Sequence, residues 1–138
     1  MKSTVLFLCT GNSCRSQMAE GFLRRHGGDK FEVRSAGTHP TTLNPLAVKA
    51  MSETGVDISS HESKSASLFT GEEFTYVITV CDHAKESCPI FPGTSIRLHW
   101  PFDDPADATG SEEERLAVFR RVRDEIDKRI REFVAQTK

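Results

Sequence analysis

The sequence predicts an α/β fold built on a parallel, doubly wound sheet. Two apolar, β-rich runs, residues 5–8 and 74–81, have the composition of strands that are buried on both faces. Segments with helical periodicity alternate with the strands, and this alternation implies right-handed crossovers between parallel neighbours. At 138 residues, the chain is long enough for one domain with a sizeable core, so we interpret residues 1–138 as a single domain.

The first predicted strand covers residues 4–9, and its continuous apolar character favours a central position in the sheet. A helix is predicted over residues 18–26 and stops at Gly27. Its apolar positions fall on one stripe, which consists of Met18, Ala19, Phe22 and Leu23. Residues 31–37 alternate between apolar and polar side chains, which indicates an edge strand with one solvated face.

The middle of the chain predicts a second helix, a short third helix and another strand. The second helix has Asn44 as its N-cap, Pro45 at its first helical position and Gly55 as its terminator. Residues 63–69 favour a short helix, although few of them are apolar. The strand over residues 74–81 ends in a cysteine, so this run would place a thiol at the end of a strand.

The C-terminal part of the chain contains the clearest helical signal. Residues 82–93 have no regular periodicity and predict a loop, whereas residues 95–100 predict a fourth strand followed by the polar, proline-containing segment 101–105. Ser111 and Glu114 have the spacing of a capping box at the start of the last helix. The apolar stripe of that helix comprises Leu116, Phe119, Val122, Ile126, Ile130 and Phe133.

Composition and charge narrow the class of function. The chain has 18 Lys plus Arg against 20 Asp plus Glu, and this balance gives no reason to expect nucleic acid or an anionic membrane as a general partner. No secretion signal opens the sequence and no apolar stretch approaches the ~20 residues that span a bilayer, so we expect a cytoplasmic protein. In that reducing compartment, 4 cysteines favour catalytic, redox or metal-binding roles over structural disulfides.

The first predicted strand delivers Cys9 into a short loop that leads to a helix N-terminus. The N–H groups of a first helical turn and the helix dipole favour a bound oxyanion, and they favour a thiolate as well. Arg15 adds a planar guanidinium that can hold two oxygens of a tetrahedral anion. The hydroxyl of Ser16 is a further potential hydrogen-bond donor to the sulfur, so we expect the pKa of Cys9 to be lowered. Simple packing of Cys9 at a strand end is the alternative, which Arg15 and Gly11 disfavour.

Further reactive side chains are predicted at the same edge of the sheet. In parallel sheets, ligands bind outside the carboxyl ends of the strands. Cys9 ends the first strand, Cys81 ends the third, and Asp103 and Asp104 follow the fourth. Two structural alternatives remain open from the residues alone. The aspartates can form a solvated Asp-Pro turn, and Cys81 and Cys88 can be a packed strand end and an incidental loop thiol.

These motifs together resemble a known family. The run Cys-Thr-Gly-Asn-Ser-Cys-Arg-Ser-Gln-Met-Ala-Glu at residues 9–20, with Cys81, Cys88 and the Trp-Pro-Phe-Asp-Asp-Pro stretch at residues 100–105, is similar to arsenate reductases of the low-molecular-weight protein tyrosine phosphatase fold that use thioredoxin. The resemblance covers essentially the whole chain. It implies a flavodoxin-like three-layer sandwich with a four-stranded parallel sheet in the order 2-1-3-4. It also implies reduced thioredoxin as the electron donor. We further expect a monomer with no bound cofactor.

The resemblance implies a role for each matching residue. Cys9 is expected to be the nucleophile and Arg15 to clamp the oxyanion. Ser16 is expected to support the thiolate, and Asp104 to protonate the departing oxygen. The residues expected to form the oxyanion-binding loop are Thr10, Gly11, Asn12, Ser13, Cys14 and Arg15.

Cys81 and Cys88 separate a reductase from a phosphatase. Reduction of As(V) to As(III) takes two electrons, and a thiol pair supplies them by becoming a disulfide. The implied relay starts with attack of Cys9 on arsenate, forms a Cys9–Cys81 disulfide with release of arsenite, and passes the disulfide to Cys81–Cys88 for reduction by thioredoxin. The implied function is arsenic detoxification, with weak phosphatase activity as a side reaction.

Two other functions remain as alternatives to arsenate reduction. A low-molecular-weight protein tyrosine phosphatase would need Cys9 and Arg15 but neither Cys81 nor Cys88. A non-enzymatic thiol redox sensor would need the thiols but no substrate. Glutathione is the alternative to thioredoxin as the electron donor, because related chemistry can use another small thiol.

The residues predict no metal site. The cysteine spacings lack the paired Cys-x2-Cys knuckles of structural zinc, and the 5 histidines are dispersed, so we expect them at the surface or at helix caps. Some reductases of the family bind potassium beside the loop. Asn12, Glu20 and Ser35 match that site, but Lys64 stands where an acidic ligand is expected. We therefore expect the Lys64 ammonium to replace the cation.

Overall fold

The computed structural model describes residues 2–80, 93 and 95–137, so the predictions for Cys81 and Cys88 lie outside the described residues. The described strands are β1 (Ser3–Cys9), β2 (Phe31–Gly37), β3 (Tyr76–Thr79) and β4 (Ile96–His99). The described α-helices are α1 (Arg15–Gly27), α2 (Pro45–Ser52) and α3 (Glu112–Gln136). Short 3-10 turns occupy Gly28–Lys30, Ala66–Phe69 and Pro105–Asp107.

The strands form one parallel sheet in the order β2-β1-β3-β4, which confirms the predicted order. β1 is central and its apolar residues 5–8 are fully buried, as expected for a strand covered on both faces. β2 lies at an edge, as its alternating pattern predicts. β3 begins at Tyr76, two residues after the predicted start. Just before it, the Thr75 N–H donates to the Thr4 hydroxyl at 3.0 Å and the Thr4 N–H donates to the Thr75 hydroxyl at 3.3 Å.

The helix α1 begins at Arg15, three residues before the predicted start. Its first turn consists of Arg15, Ser16 and Gln17, and all three side chains are buried. The helix prediction depends on apolar periodicity. Because these buried residues are polar, they interrupt that periodicity and the turn is not predicted. The first turn is therefore a buried polar end of the helix, placed directly after the loop that leaves β1.

The other helices agree with their sequence signals except at their ends. The side chain of Asn44 caps α2 by accepting the N–H of Leu46 at 2.9 Å. α2 ends at Ser52, and Gly55 follows in the turn with a positive φ of 84°. The predicted helix at 63–69 is reduced to one 3-10 turn, Ala66–Phe69.

The helix α3 begins with the predicted capping box. The Ser111 hydroxyl accepts the Glu114 N–H at 3.1 Å, and the Glu114 carboxylate accepts the Ser111 N–H at 3.3 Å. All six residues of the predicted apolar stripe are buried, and α3 packs against both α1 and α2. None of the helices in the described part of the chain combines the length and the apolar character needed to cross a bilayer.

Candidate active site

The structure brings Cys9, Arg15 and Asp104 to one open cleft of about 350 Å³. Cys9 is the last residue of β1, Arg15 is the first residue of α1, and Asp104 precedes the 3-10 turn after β4. The cleft lies beyond the carboxyl ends of the parallel strands, which is where ligands bind in such sheets. The other lining residues are Thr10, Gly11, Ser13, Cys14, His39, Thr41 and Ala106.

Residues 38–44 hold the loop between β1 and α1 in shape. Four of their N–H groups donate to loop carbonyls at 2.9 to 3.1 Å: Thr38 to Cys9, His39 to Thr10, Thr41 to Gly11 and Asn44 to Ser13. The loop carbonyls therefore face this segment, which suits an anion site, since carbonyl oxygens pointing into the cleft would repel an anion. The sequence predicts only an irregular loop at 38–43. The residue pattern does not show that this segment will hydrogen-bond to a loop that is distant in the sequence.

Gly37 allows the end of β2 to approach this loop closely. A Cβ atom at Gly37 would lie 2.5 Å from the carbonyl oxygen of Thr10 and 2.9 Å from the backbone nitrogen of Asn12. Both neighbours are backbone atoms and have no rotamer by which to move away. A glycine is therefore required here for a close approach between two backbones.

Asn12 adopts a left-handed backbone conformation, with φ at 49°, and is fully buried. This conformation is uncommon for a residue with a side chain. It directs the Asn12 N–H to the sulfur of Cys9 at 3.1 Å. The Asn12 side-chain amide donates to the hydroxyls of Ser16 at 2.7 Å and Ser35 at 3.0 Å. Its oxygen accepts the backbone N–H of Lys64 at 2.8 Å, so the side chain reinforces the strained backbone.

The thiol of Cys9 is 2% exposed and lies 2.9 Å from the hydroxyl of Ser16. Burial raises the pKa of Cys9, while hydrogen bonds from Ser16, the charge of Arg15 and the Asn12 N–H lower it. The predicted lowering of this pKa is therefore wrong, because burial has the larger effect. Burial also raises the pKa of Cys14, to about 12, which leaves that buried thiol protonated at neutral pH.

Replacing Ser16 by alanine is expected to raise the pKa of Cys9 further. The hydroxyl can donate to the thiolate, and a hydrogen bond to a charged group is worth about 1.5–3 kcal/mol, or roughly one to two pKa units. At neutral pH the variant should hold about 10- to 100-fold less thiolate. Titrating the ultraviolet absorbance of the thiolate checks this. An unchanged midpoint would show that the Ser16 hydroxyl does not support the anion.

Arg15 connects the loop to the segment after β4. Its Nη1 donates to the carbonyl of Phe102 at 3.1 Å, and its Nη2 lies 3.3 Å from Oδ2 of Asp104. The other carboxylate oxygen of Asp104 accepts the N–H of Ala106 at 3.0 Å. Asp104 therefore caps an Asp-Pro turn and also lines the cleft. The interpretation as a turn residue and the interpretation as a site residue are compatible.

The residues matched to a potassium site form a closed network in the described structure. The Ser35 hydroxyl donates to one oxygen of Glu20, and Arg24 lies 2.8 Å from the other. The Lys64 ammonium donates instead to the carbonyl of Glu62 at 2.9 Å. The expected role of Lys64 is therefore wrong, and the cation paired with Glu20 is Arg24. Within the described ranges, no three His, Cys, Asp or Glu side chains converge as metal ligands would.

The described residue that precedes Cys81 in the sequence is Val80. It is fully buried, and its N–H donates to the carbonyl of Leu8 at 2.8 Å. Leu8 in turn precedes Cys9. The residues immediately before two of the predicted relay cysteines are thus joined by a backbone hydrogen bond between neighbouring parallel segments.

Comparison with known proteins identifies close relatives of this chain. Residues 4–138 match the family model described as low molecular weight phosphotyrosine protein phosphatase. The chain is 52% identical over 132 residues to an arsenate reductase of Halalkalibacterium halodurans, which covers 96% of this chain and 95% of that protein. It is 51% identical over 129 residues to an arsenate reductase of Bacillus subtilis, with 94% and 93% covered.

Solved structures show the same similarity in three dimensions. A structure described as an arsenate reductase in the oxidized state superposes with a TM-score of 0.84 at 33% identity, and all of both chains are covered. A thioredoxin-dependent arsenate reductase of Corynebacterium glutamicum superposes with a TM-score of 0.72 at 30% identity, covering 99% of this chain and 64% of that one. Both similarities therefore extend over essentially the whole of this chain.

Proposed function

Because this chain belongs to the low molecular weight phosphotyrosine protein phosphatase family, and to the arsenate reductases of that fold, we propose that it reduces arsenate to arsenite with thioredoxin as the electron donor. The observation that carries this proposal is the buried thiol of Cys9 beneath a loop shaped for an oxyanion, beside Arg15. A chain with Cys81 and Cys88 also holds the thiol pair that a two-electron reduction requires. The biological role is arsenic detoxification.

The first step is displacement at arsenic. Arsenate enters the cleft, and Arg15 exchanges its contact with Asp104 for two arsenate oxygens. The Cys9 sulfur forms a bond to arsenic, and one oxygen leaves as water after receiving a proton from Asp104. The product is a thiol–arsenate adduct in which arsenic remains As(V). The Ser16 hydroxyl and the Asn12 N–H stabilise the thiolate before attack.

The second step transfers the electrons. The thiolate of Cys81 attacks the sulfur of Cys9, the sulfur–arsenic bond breaks, and its electron pair leaves with arsenic as arsenite. Cys9 and Cys81 are then a disulfide. Cys88 attacks Cys81, Cys9 is released as a thiolate, and thioredoxin reduces the Cys81–Cys88 disulfide. The backbone hydrogen bond from Val80 to Leu8 supports this order, because it joins the residues that precede Cys81 and Cys9.

The relay chemistry also suggests a cellular location and an assembly state. The relay must begin from reduced thiols, so we place the reaction in the reducing cytoplasm. A single chain supplies every residue of the relay, and we propose a monomer without a bound cofactor as the working unit. Cys9, Arg15 and Asp104 are also the groups that a phosphatase of this fold would use, so slow hydrolysis of aryl phosphates is expected as a side activity.

The decisive experiment measures arsenate-dependent oxidation of NADPH by the purified protein with thioredoxin and thioredoxin reductase. A parallel assay contains glutathione and glutaredoxin instead. We expect turnover with thioredoxin and little with glutathione. The reverse result would reject thioredoxin as the donor, and the absence of turnover in both assays would reject arsenate reduction.

Replacing Cys88 by serine is expected to stop multiple turnover but not the first. The Cys9–Cys81 disulfide can still form, so each chain should release about one arsenite and then stall. The measurement is arsenite formed per chain, with Cys81→Ser as the matched variant that should release none. Hydrolysis of an aryl phosphate should persist in both variants. Continued arsenate turnover by Cys88→Ser would contradict the relay.

A further inference from the structure

We propose that Gln17, oriented by His61, is a positioning residue that fixes the left-handed backbone of Asn12 against the nucleophile. Neither Gln17 nor His61 lines the cleft, and neither is among the residues for which the sequence predicts a catalytic or oxyanion-binding role. The inference rests on the proposed role of Cys9. It adds to that role a chain of hydrogen bonds from the segment after α2 to the sulfur of Cys9.

The amide of Gln17 is surrounded by acceptors. Gln17 is fully buried in the first turn of α1. Its Nε2 lies 3.0 Å from the side-chain oxygen of Asn12, 3.1 Å from the carbonyl oxygen of Asn12 and 3.0 Å from the carbonyl oxygen of Glu62. Only a group that donates in several directions suits this position, and an amide nitrogen has two hydrogens to share among the three acceptors.

His61 determines which way the Gln17 amide points. The Oε1 of Gln17 lies 2.9 Å from Nδ1 of His61. An amide oxygen can only accept, so His61 carries a hydrogen on Nδ1. A flipped amide would place its own oxygen next to the three acceptor oxygens. Repulsion between their lone pairs excludes that orientation. The protonated imidazole also carries a hydrogen on Nδ1, so titration of His61 leaves the orientation of Gln17 unchanged.

The surroundings of His61 favour its neutral form. Burial lowers the pKa of His61, and the positive charges of Arg24 and Lys64 lower it further, whereas the carboxylates of Glu20 and Asp57 raise it. The backbone N–H of His61 donates to the carbonyl of Ile58 at 2.9 Å, which holds the residue in place beside α1. His61 is therefore a fixed donor to Gln17.

Gln17 controls Asn12 at two points. It binds the carbonyl oxygen, which belongs to the peptide unit after Asn12, and it binds the side-chain oxygen of the same residue. Both contacts oppose rotation of Asn12 away from its positive φ of 49°. That rotation would remove the Asn12 N–H from the sulfur of Cys9 and its side-chain amide from Ser16. Gln17 therefore acts on Cys9 through Asn12.

The test is the reactivity of Cys9 in Gln17→Met, a variant of similar side-chain volume that has no donor. Alkylation by iodoacetamide is followed over a range of pH, and the modified Cys9 peptide is quantified by mass spectrometry. We expect the midpoint of the pH profile to move upward and the rate at neutral pH to fall by about threefold or more. Among the described residues, the charged and titratable groups that share the cleft with Cys9 include Arg15, Cys14 and Asp104, and none of these is changed in this variant.

The matched control is Gln136→Met, at the exposed end of α3, which should leave the profile unchanged. A Gln17→Met protein that melts earlier but keeps the wild-type profile would overturn the proposal and leave Gln17 a purely structural role. If that variant does not fold, His61→Leu is measured instead, and an unchanged profile overturns the proposal. The assay contains no arsenate, so failure to reduce arsenate would reject the proposed function and not this inference.

Discussion

Replacing Arg15 by lysine is expected to lower kcat/KM for arsenate by about 10²–10³, since loss of a single oxyanion donor has an effect of this size. Arg15 is 8% exposed and contacts both the carbonyl of Phe102 and the carboxylate of Asp104. Its planar guanidinium can hold two oxygens of the anion in a fixed geometry. A lysine ammonium is a point charge on a flexible stem and cannot reproduce that fork.

The measurement for Arg15→Lys is steady-state arsenate reduction, together with inhibition by inorganic phosphate as a probe of ground-state binding. Arg131→Lys is the matched control, because Arg131 is exposed on α3 and pairs with Asp127 at 3.0 Å, a contact that lysine can keep. The control should behave as the wild type. If Arg15→Lys keeps kcat/KM within about threefold, the planar clamp is not what binds the oxyanion.

Replacing Asp104 by asparagine is expected to change catalysis and binding in opposite directions. The variant has no acidic proton for the departing oxygen, so kcat for arsenate should fall by about 10²-fold or more. It also removes the negative charge that lies 3.3 Å from Arg15, so phosphate should bind more tightly. The asparagine oxygen can still accept the Ala106 N–H, and the turn should survive.

Turnover of arsenate and inhibition by phosphate are measured for Asp104→Asn and for Asp103→Asn. Asp103 is a suitable control because its side chain is 76% exposed and pairs with Arg121 outside the cleft. Only the Asp104 variant should combine slower turnover with tighter phosphate binding. Loss of turnover with weaker phosphate binding would instead indicate that the segment after β4 had collapsed.

Much of the fold could be predicted because it depends on local signals. The buried apolar run of β1, the alternation of β2 and the capping box of α3 each depend on residues close together in the sequence, and all three are confirmed. The apolar periodicity of the sequence does not predict the first turn of α1. The residues of this turn are polar and buried because they contribute to the site. They therefore interrupt the apolar stripe by which an amphipathic helix is recognised.

Residue patterns along the chain are enough to identify the family, the parallel sheet and the chemical groups of the site: a thiol, a guanidinium and a carboxylate beyond the ends of strands. The environment of these groups, and with it their reactivity, depends on the folded structure. The burial that raises the pKa of Cys9, the contacts of segment 38–44 with the loop carbonyls and the contact of His61 with Gln17 all depend on residues that are distant in sequence. Burial and hydrogen bonding depend on what surrounds an atom in space, whereas a sequence pattern records only neighbours along the chain.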